Sequence, residues 1–315
     1  MYGAVQRATL LLCALFAVTS CARKKSAAFV VGFSQMESDN PFRLAETKSL
    51  KDEAVKRGIE LVVTDAQGQT AKQVADVEDL IARRVSLILL APRTYEGLTP
   101  ALQAAKAAKI PVILVDRAAA GKPGEDYVTE LGSNFVEQGR RAGEWLAKQT
   151  NGTASIVELS GSPGASVATD RAAGFRAEIA KYPNMKIVAS QTGNFARATG
   201  QGVMQNIAQS LGKKITAVYA HNDEMALGAI QALSTAGLKP GTDVIVVSID
   251  GSRAALEAID RGELGATVES NPRFGPLAFD TIERFRKGET LPAKLLVTDR
   301  FFDRSNAKQF IAEAY

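Results

Sequence analysis

From residue 27 onward the chain alternates short apolar runs with amphipathic stretches of helical period, and partway along it starts that alternation again. Strand-like runs fall at residues 28–33, 60–65, 87–91 and 111–116, separated by helical patterns at 42–57, 71–84 and 98–108. The runs are rich in Val, Ile and Leu with little polar alternation. That is the signature of parallel strands covered on both faces, because each crossover returns a helix to the sheet. A second series of runs follows at 154–159, 186–190, 217–220, 244–249 and 266–269, with a terminal run at 295–298. Its helical patterns lie at 134–148, 165–181, 196–209, 223–236, 253–261 and 275–287. The fold class expected is α/β: two doubly wound parallel-sheet, Rossmann-like domains, each a three-layer sandwich with right-handed crossovers.

In such sheets ligands bind beyond the carboxyl ends of the strands, where polar side chains reach solvent without breaking the core. The polar or irregular residues at these ends are Ser34, Gln35, Asp65, Ala91, Pro92, Asp116, Arg117, Asn222, Asp223 and Asp250. Catalytic patterns are absent from the sequence. His221 is the one histidine and has no evident nucleophile partner, so it reads as strand-end packing. Neither a G-x-S-x-G elbow nor a G-x-x-x-x-G-K-[ST] loop occurs. Gly161-Ser162-Pro163-Gly164 follows a strand run but fails the dinucleotide pattern, and reads as a plain strand-to-helix turn. No enzyme activity, metal or cofactor is expected.

The first residues read as a processing segment. Arg7 is a short positive n-region, and residues 8–18 (ATLLLCALFAV) are an apolar run too short to span a bilayer as a helix. Val18-Thr19-Ser20-Cys21 then resembles the bacterial lipobox, in which the cysteine is acylated and becomes the first mature residue. Residues 1–20 are thus expected to be a signal peptide and 21–26 a lipidated basic tether. Cys13, the only other cysteine, lies in the discarded segment, so no internal disulfide is expected.

Charge excludes a partner class. The formal +4 comes from 38 Lys and Arg against 34 Asp and Glu. Four of those 38 are Arg7, Arg23, Lys24 and Lys25, which leaves 34 against 34 in the folded body. A neutral body argues against nucleic acid, whereas a basic tether beside an acyl chain favours anionic lipid.

Polar and aromatic residues at strand ends suit a sugar. Each hydroxyl both donates and accepts, adjacent Asp and Arg can serve two neighbouring hydroxyls, and apolar ring faces pack on aromatics. Asp116-Arg117 alone would read as a salt-bridged loop. It stands, however, in an ordered series: Gly32-Phe33-Ser34-Gln35, Asn40-Pro41-Phe42-Arg43, Asp116-Arg117, Asp170-Arg171-Ala172-Ala173-Gly174-Phe175, Asn194-Phe195, His221-Asn222-Asp223-Glu224-Met225 and Ile249-Asp250-Gly251. This series resembles the periplasmic sugar-binding proteins of ABC importers, of the ribose-binding type, over nearly the whole mature chain. GFSQ, FRLAET, ELSGSPGASVATDRAAGF and YAHNDEMALGAIQA are most similar to the galactofuranose-binding branch.

The resemblance implies a monomeric, extracytoplasmic or periplasmic, lipid-anchored receptor that captures a pentose or hexose and hands it to an ABC permease. The alternative implied is a sensor that presents its closed form to a chemotaxis or kinase partner. A repressor is disfavoured, because an export leader stands where a DNA-binding segment would be. Phe42 and Phe195 correspond to aromatics flanking the sugar. Arg43 stands where the galactofuranose branch has arginine, and Asp116 and Arg117 match a hydroxyl-binding pair. Arg171, Asn222 and Asp250 match the polar ligands of the other domain, and Asn40 and Glu269 are further expected contacts. Ala91-Pro92 and Glu269-Ser270 depart from the ribose pattern and point to a different or larger sugar. Hinge crossings are implied near residues 130–132, 269–271 and 298–301. They give one domain of 27–130 plus 272–299 and another of 131–271 plus 300–315.

Overall fold

The structure is a computed structural model, and the residues it describes are 29–315. The leader, Cys21 and the basic tether lie outside the described residues. The first lobe is built from β1 (Val30–Gln35), α1 (Pro41–Arg57), β2 (Glu60–Asp65), α2 (Thr70–Ala82), β3 (Leu87–Leu90), α3 (Thr99–Ala107), β4 (Val112–Val115) and β5 (Glu130–Gly132). The second follows with α4 (Phe135–Gln149), β6 (Thr153–Ser160), α5 (Ser166–Ile179), β7 (Asn184–Thr192), α6 (Arg197–Leu211), β8 (Ala217–Ala220), α7 (Asp223–Thr235), β9 (Ile245–Asp250), α8 (Arg253–Asp260) and β10 (Ala266–Glu269). The chain then returns through α9 (Gly275–Arg286) and β11 (Lys294–Leu296) to the first lobe, and ends with β12 (Phe301–Asp303) and α10 (Ala307–Phe310) in the second.

Each lobe has a six-stranded sheet, in the orders β11-β5-β4-β3-β1-β2 and β12-β10-β9-β8-β6-β7. Every pairing is parallel except β10 with β12. Strand β3 shows why the runs looked continuously apolar. Leu87 and Leu89 face a core shared with Phe274 and Phe279, while Ile88 and Leu90 face the opposite core with Leu80 and Leu102. A strand buried on both faces has no polar phase.

Two short strands were not expected. β5 falls where the sequence implies only a crossing, and it carries the first sheet to Gly132, two residues beyond the expected boundary at residue 130. β12 carries no strand pattern of its own in the sequence. Three residues are too few to show a period, and both strands gain their order from pairing with β4 and β11, or with β10.

Helix starts place the polar residues at the sheet ends. Asn40 caps α1, its side chain accepting from the Arg43 backbone N–H at 3.0 Å, with Pro41 in the first turn. Phe42 and Arg43 are thereby held at the carboxyl edge of the first sheet. Asn222 caps α7 in the same way, accepting from the Met225 N–H at 3.0 Å. Helices α4 and α5 approach so closely that a Cβ on Gly174 would lie 1.9 Å from the Val136 carbonyl oxygen. That contact fixes the helix bearing Arg171. Gly174→Ala is therefore expected to cost roughly 1–3 kcal/mol of stability through overpacking. Thermal unfolding should show a midpoint lower by several degrees; an unchanged midpoint would mean the two helices can separate freely.

Candidate functional site

The carboxyl ends of both sheets face one cleft, lined by Asn40, Phe42, Arg43, Asp116 and Arg117 from the first lobe and by Val167, Arg171, Phe195, Asn222 and Asp250 from the second. The lobes touch across it. The Tyr95 N–H donates to the Gly164 carbonyl at 2.8 Å, the Ala118 N–H donates to Ser166 Oγ at 3.2 Å, and the Arg117 guanidinium lies 5.1 Å from the Phe195 ring centre. The facing side chains leave a cavity of only about 20 Å³ between them. That is little more than the space of one water molecule, so the two walls of the cleft are already drawn together.

In the first lobe, Arg43 bridges two carboxylates. Its Nη2 donates to Asp116 Oδ2 at 2.6 Å and its Nη1 to Glu46 Oε2 at 2.8 Å. Burial alone would weaken its charged form, but Asp116 and Glu46 hold it more firmly protonated than usual. Arg117 has no such support. Its Nε is 3.5 Å from Asp116 Oδ2 without hydrogen-bond geometry, and both Nε and Nη1 are buried with no partner. Burial, together with repulsion from Arg43, lowers its pKa to about 9. It remains cationic at neutral pH, with two desolvated donors available in the cleft wall.

In the second lobe, Arg171 is held on three sides. Nε donates to Gln138 Oε1 at 3.0 Å, Nη1 to the His221 carbonyl at 2.6 Å, and Nη2 to Asp250 Oδ1 at 3.3 Å. Burial pushes the Asp250 carboxyl well above the ordinary carboxylate range, with Arg171 opposing the rise. The Asn222 amide donates to the Phe195 carbonyl at 3.0 Å, fixing the aromatic wall and leaving one amide N–H uncommitted. Asp116, Phe195 and Asp250 have φ of 66°, 60° and 137°. Such backbone costs of order 1–3 kcal/mol per residue and persists where the surroundings over-determine it, as in ligand clamps.

Nine of the ten residues expected at the site from the sequence line this cleft, and Glu269 does not. Its carboxylate is consumed by Arg300, whose backbone N–H donates at 2.9 Å and whose guanidinium donates at 2.8 and 3.0 Å. That ion pair replaces the ligand contact expected there. Of the other strand-end polar residues, the buried Ser34 hydroxyl has no partner, while Asp223, Gln35 and Asp65 are held structurally. Asp223 accepts from Ser248 Oγ, Thr267 Oγ1 and the Ser252 N–H, Gln35 donates to Glu46, and Asp65 accepts from the Gln67 N–H. His221 is fully buried behind the cleft. The Gly161 N–H donates to its Nδ1 at 3.3 Å, which leaves Nε2–H to donate to Glu158 at 3.3 Å. Burial would raise Glu158, yet hydrogen bonds from His221, Arg176 and Ser190 hold it near about 2. Among the described residues, no group of three or more His, Cys, Asp or Glu could hold a metal ion.

Three residues at or behind the cleft were missed from the sequence. Val167 carries no polar mark. Gln138 sits within an amphipathic helix and looks like any helix amide. The Tyr315 ring meets Phe42 edge-on at 6.0 Å between centres, and its buried hydroxyl has no partner. Its position at the foot of the cleft depends on packing that no local pattern encodes.

The arrangement binds rather than reacts. It offers guanidinium and amide donors, carboxylate acceptors and two aromatic faces, without a nucleophile–base pair. A model of the periplasmic binding protein domain matches residues 31–290. The chain is 44% identical over 276 residues to the galactofuranose-binding protein YtfQ of Escherichia coli, covering 87% of each chain. A crystal structure of a galactofuranose binding protein superposes with a TM-score of 0.88 at 40% identity, over 91% of this chain and 98% of that one. The periplasmic binding protein of the arabinose ABC transporter from Shewanella sp. ANA-3, bound to α- and β-L-arabinofuranose, superposes at 0.87 with 43% identity, over 90% and 95%.

A buried guanidinium with unpaired donors costs more than an apolar side chain of similar length. Arg117→Met is expected to raise the unfolding midpoint of the unliganded protein in calorimetry. A clear fall would show that the guanidinium contributes to stability rather than being held in reserve.

Proposed function

The chain belongs to the periplasmic binding protein family, and on that footing we propose that it captures one monosaccharide in furanose form and delivers it to an ABC permease by closing its two lobes. The observation that carries this reading is the composition of the cleft. Three buried arginines, Arg43, Arg117 and Arg171, stand among the carboxylates Asp116 and Asp250, with Phe42 and Phe195 also in the lining. Ionised groups make the stronger hydrogen bonds to hydroxyls, and a sugar hydroxyl can donate to a carboxylate while accepting from a guanidinium. Asp116 and Arg117 serve adjacent hydroxyls in this reading. Arg171, Asn222 and Asp250 engage the opposite edge, Arg43 and Asn40 the rim, and the two phenylalanines the apolar ring faces. The names of the galactofuranose and L-arabinofuranose binders support a five-membered ring.

Only a closed form lets both lobes touch one ligand, so ligand shifts an open–closed equilibrium and the closed form is what a permease would recognise. The lobes are taken as residues 27–130 plus 272–299 and 131–271 plus 300–315, with β5 extending the first. Acylation of Cys21 and the basic tether would hold a monomeric receptor at the membrane surface.

A thermal-shift panel of L-arabinose, D-galactose, D-fucose, D-ribose and D-fructose tests the proposal. Sugar at about 100 times its dissociation constant adds about 2.7 kcal/mol, enough to raise the midpoint by several degrees. Asp116→Ala should lose at least about tenfold in affinity, because it removes a carboxylate acceptor and one of the two partners of Arg43. Shifts with no sugar at all, or normal binding by Asp116→Ala, would defeat the assignment.

A further inference from the structure

Three passes of chain cross between the lobes: after β5, after β10, and between β11 and β12. All three are joined through a buried pair, Gln138 and Asp299. Gln138 on α4 is 1% exposed. Its Nε2 donates to Asp299 Oδ2 at 2.8 Å, in the third crossing, and lies 3.3 Å from the Glu269 carbonyl oxygen, in the second. The other oxygen of Asp299 accepts from Ser133 Oγ at 2.9 Å, in the first crossing. Gln138 Oε1 faces the opposite way and accepts from Arg171 Nε at 3.0 Å.

We propose that Gln138 is a positioning residue that ties the three interlobe crossings to the ligand-binding guanidinium of Arg171, so that the closed hinge and the oriented arginine stabilise one another. The proposal rests on the monosaccharide reading above and deepens it. The amide cannot serve both sides in any other orientation. Turned over, it would aim N–H groups at Arg171 and its carbonyl at the Asp299 carboxylate, and both contacts would repel. Its orientation is therefore set by the crossings and transmitted to Arg171. If a hinge rotation carried Asp299 away from Ser133 or Gln138, the amide would lose its anchor, and Arg171 Nε its fixed acceptor. Conversely, a ligand that holds Arg171 in place favours the amide orientation that the closed crossings require.

Asp299 is suited to this junction. Burial pushes its carboxyl up to about 6, while hydrogen bonds from Gln138 and Ser133 and the charge of Arg171 act against the rise, and Glu269 adds to it. Glu269 is itself paired with Arg300, and Arg141 Nη1 donates at 2.8 Å to the Asp299 carbonyl oxygen rather than to the carboxylate. The amide of Gln138 and the hydroxyl of Ser133 are thus the direct donors to the Asp299 carboxylate.

The test combines Gln138→Leu, Gln138→Glu, Asp299→Ala and the Gln138→Leu/Asp299→Ala double variant. Calorimetric titration would use whichever panel sugar binds the wild type, and small-angle scattering would follow the ligand-free proteins. Gln138→Leu should weaken binding by roughly tenfold or more and give a larger ligand-free radius of gyration than the wild type. The losses from Gln138→Leu and Asp299→Ala should overlap, so that the double variant binds about as well as the weaker single variant. Gln138→Glu keeps an acceptor for Arg171 but sets a carboxylate against Asp299. Its affinity should be poor at pH 8 and recover toward pH 5, where the pair can share a proton. A loss of affinity at pH 8 larger than the accompanying loss of ligand-free stability separates positioning from a purely structural role. Wild-type affinity in Gln138→Leu, multiplicative losses in the double variant, or a flat pH profile in Gln138→Glu would each overturn the proposal. If the wild type binds no sugar, the functional reading fails separately, and an unchanged ligand-free radius in Gln138→Leu still overturns this one.

Discussion

Charge kept out of water governs this molecule. Arg43, Arg117 and Arg171 are buried at the meeting of two sheets, where an unpaired guanidinium is costly and a paired one is only break-even. The carboxylates that offset them stand near the strand ends: Asp116 after β4, Asp250 at the end of β9, and Glu46 one turn into α1. These groups can be brought this close only because apolar strands buried on both faces hold the sheets rigid beneath them. The strained backbone at Asp116, Phe195 and Asp250 is a further cost of the same arrangement, borne by the surrounding core.

Within that balance the two lobes play different parts. In the first, Arg43 is paired with Asp116 and Glu46 while Arg117 keeps two buried donors without partners. In the second, Arg171 is locked by Gln138, the His221 carbonyl and Asp250. A preoriented polar surface thus faces one that retains free hydrogen-bonding capacity. Such a surface binds by completing hydrogen bonds that already have half their geometry, and little side-chain ordering remains to be done when the ligand arrives.

Much of this was legible in the chain. Asn40-Pro41 announces a capped helix start, and the cap is what sets Phe42 and Arg43 at the sheet edge. Asp116-Arg117 and Asp250 directly follow or end apolar runs, so the strand pattern itself aims them at the cleft. Glu269 shows where the same logic stops. It ends a strand like the others, but its carboxylate is claimed by Arg300, 31 residues later in the chain, and no local pattern marks a distant partner. Gln138 failed to stand out for the opposite reason. Its importance comes from three crossings that converge only once the chain has folded back on itself. The short strands β5 and β12 owe their order to neighbours, not to a period of their own.

The central claim is that one small sugar is held between the lobes by the residues of this cleft. The most direct test is a crystal structure of the protein grown with L-arabinose or D-galactose. The account predicts a single furanose ring between Phe42 and Phe195, with its hydroxyls on Asp116, Arg117, Arg171, Asn222 and Asp250. A sugar seated elsewhere, or one touching a single lobe while the cleft stays open, would contradict it.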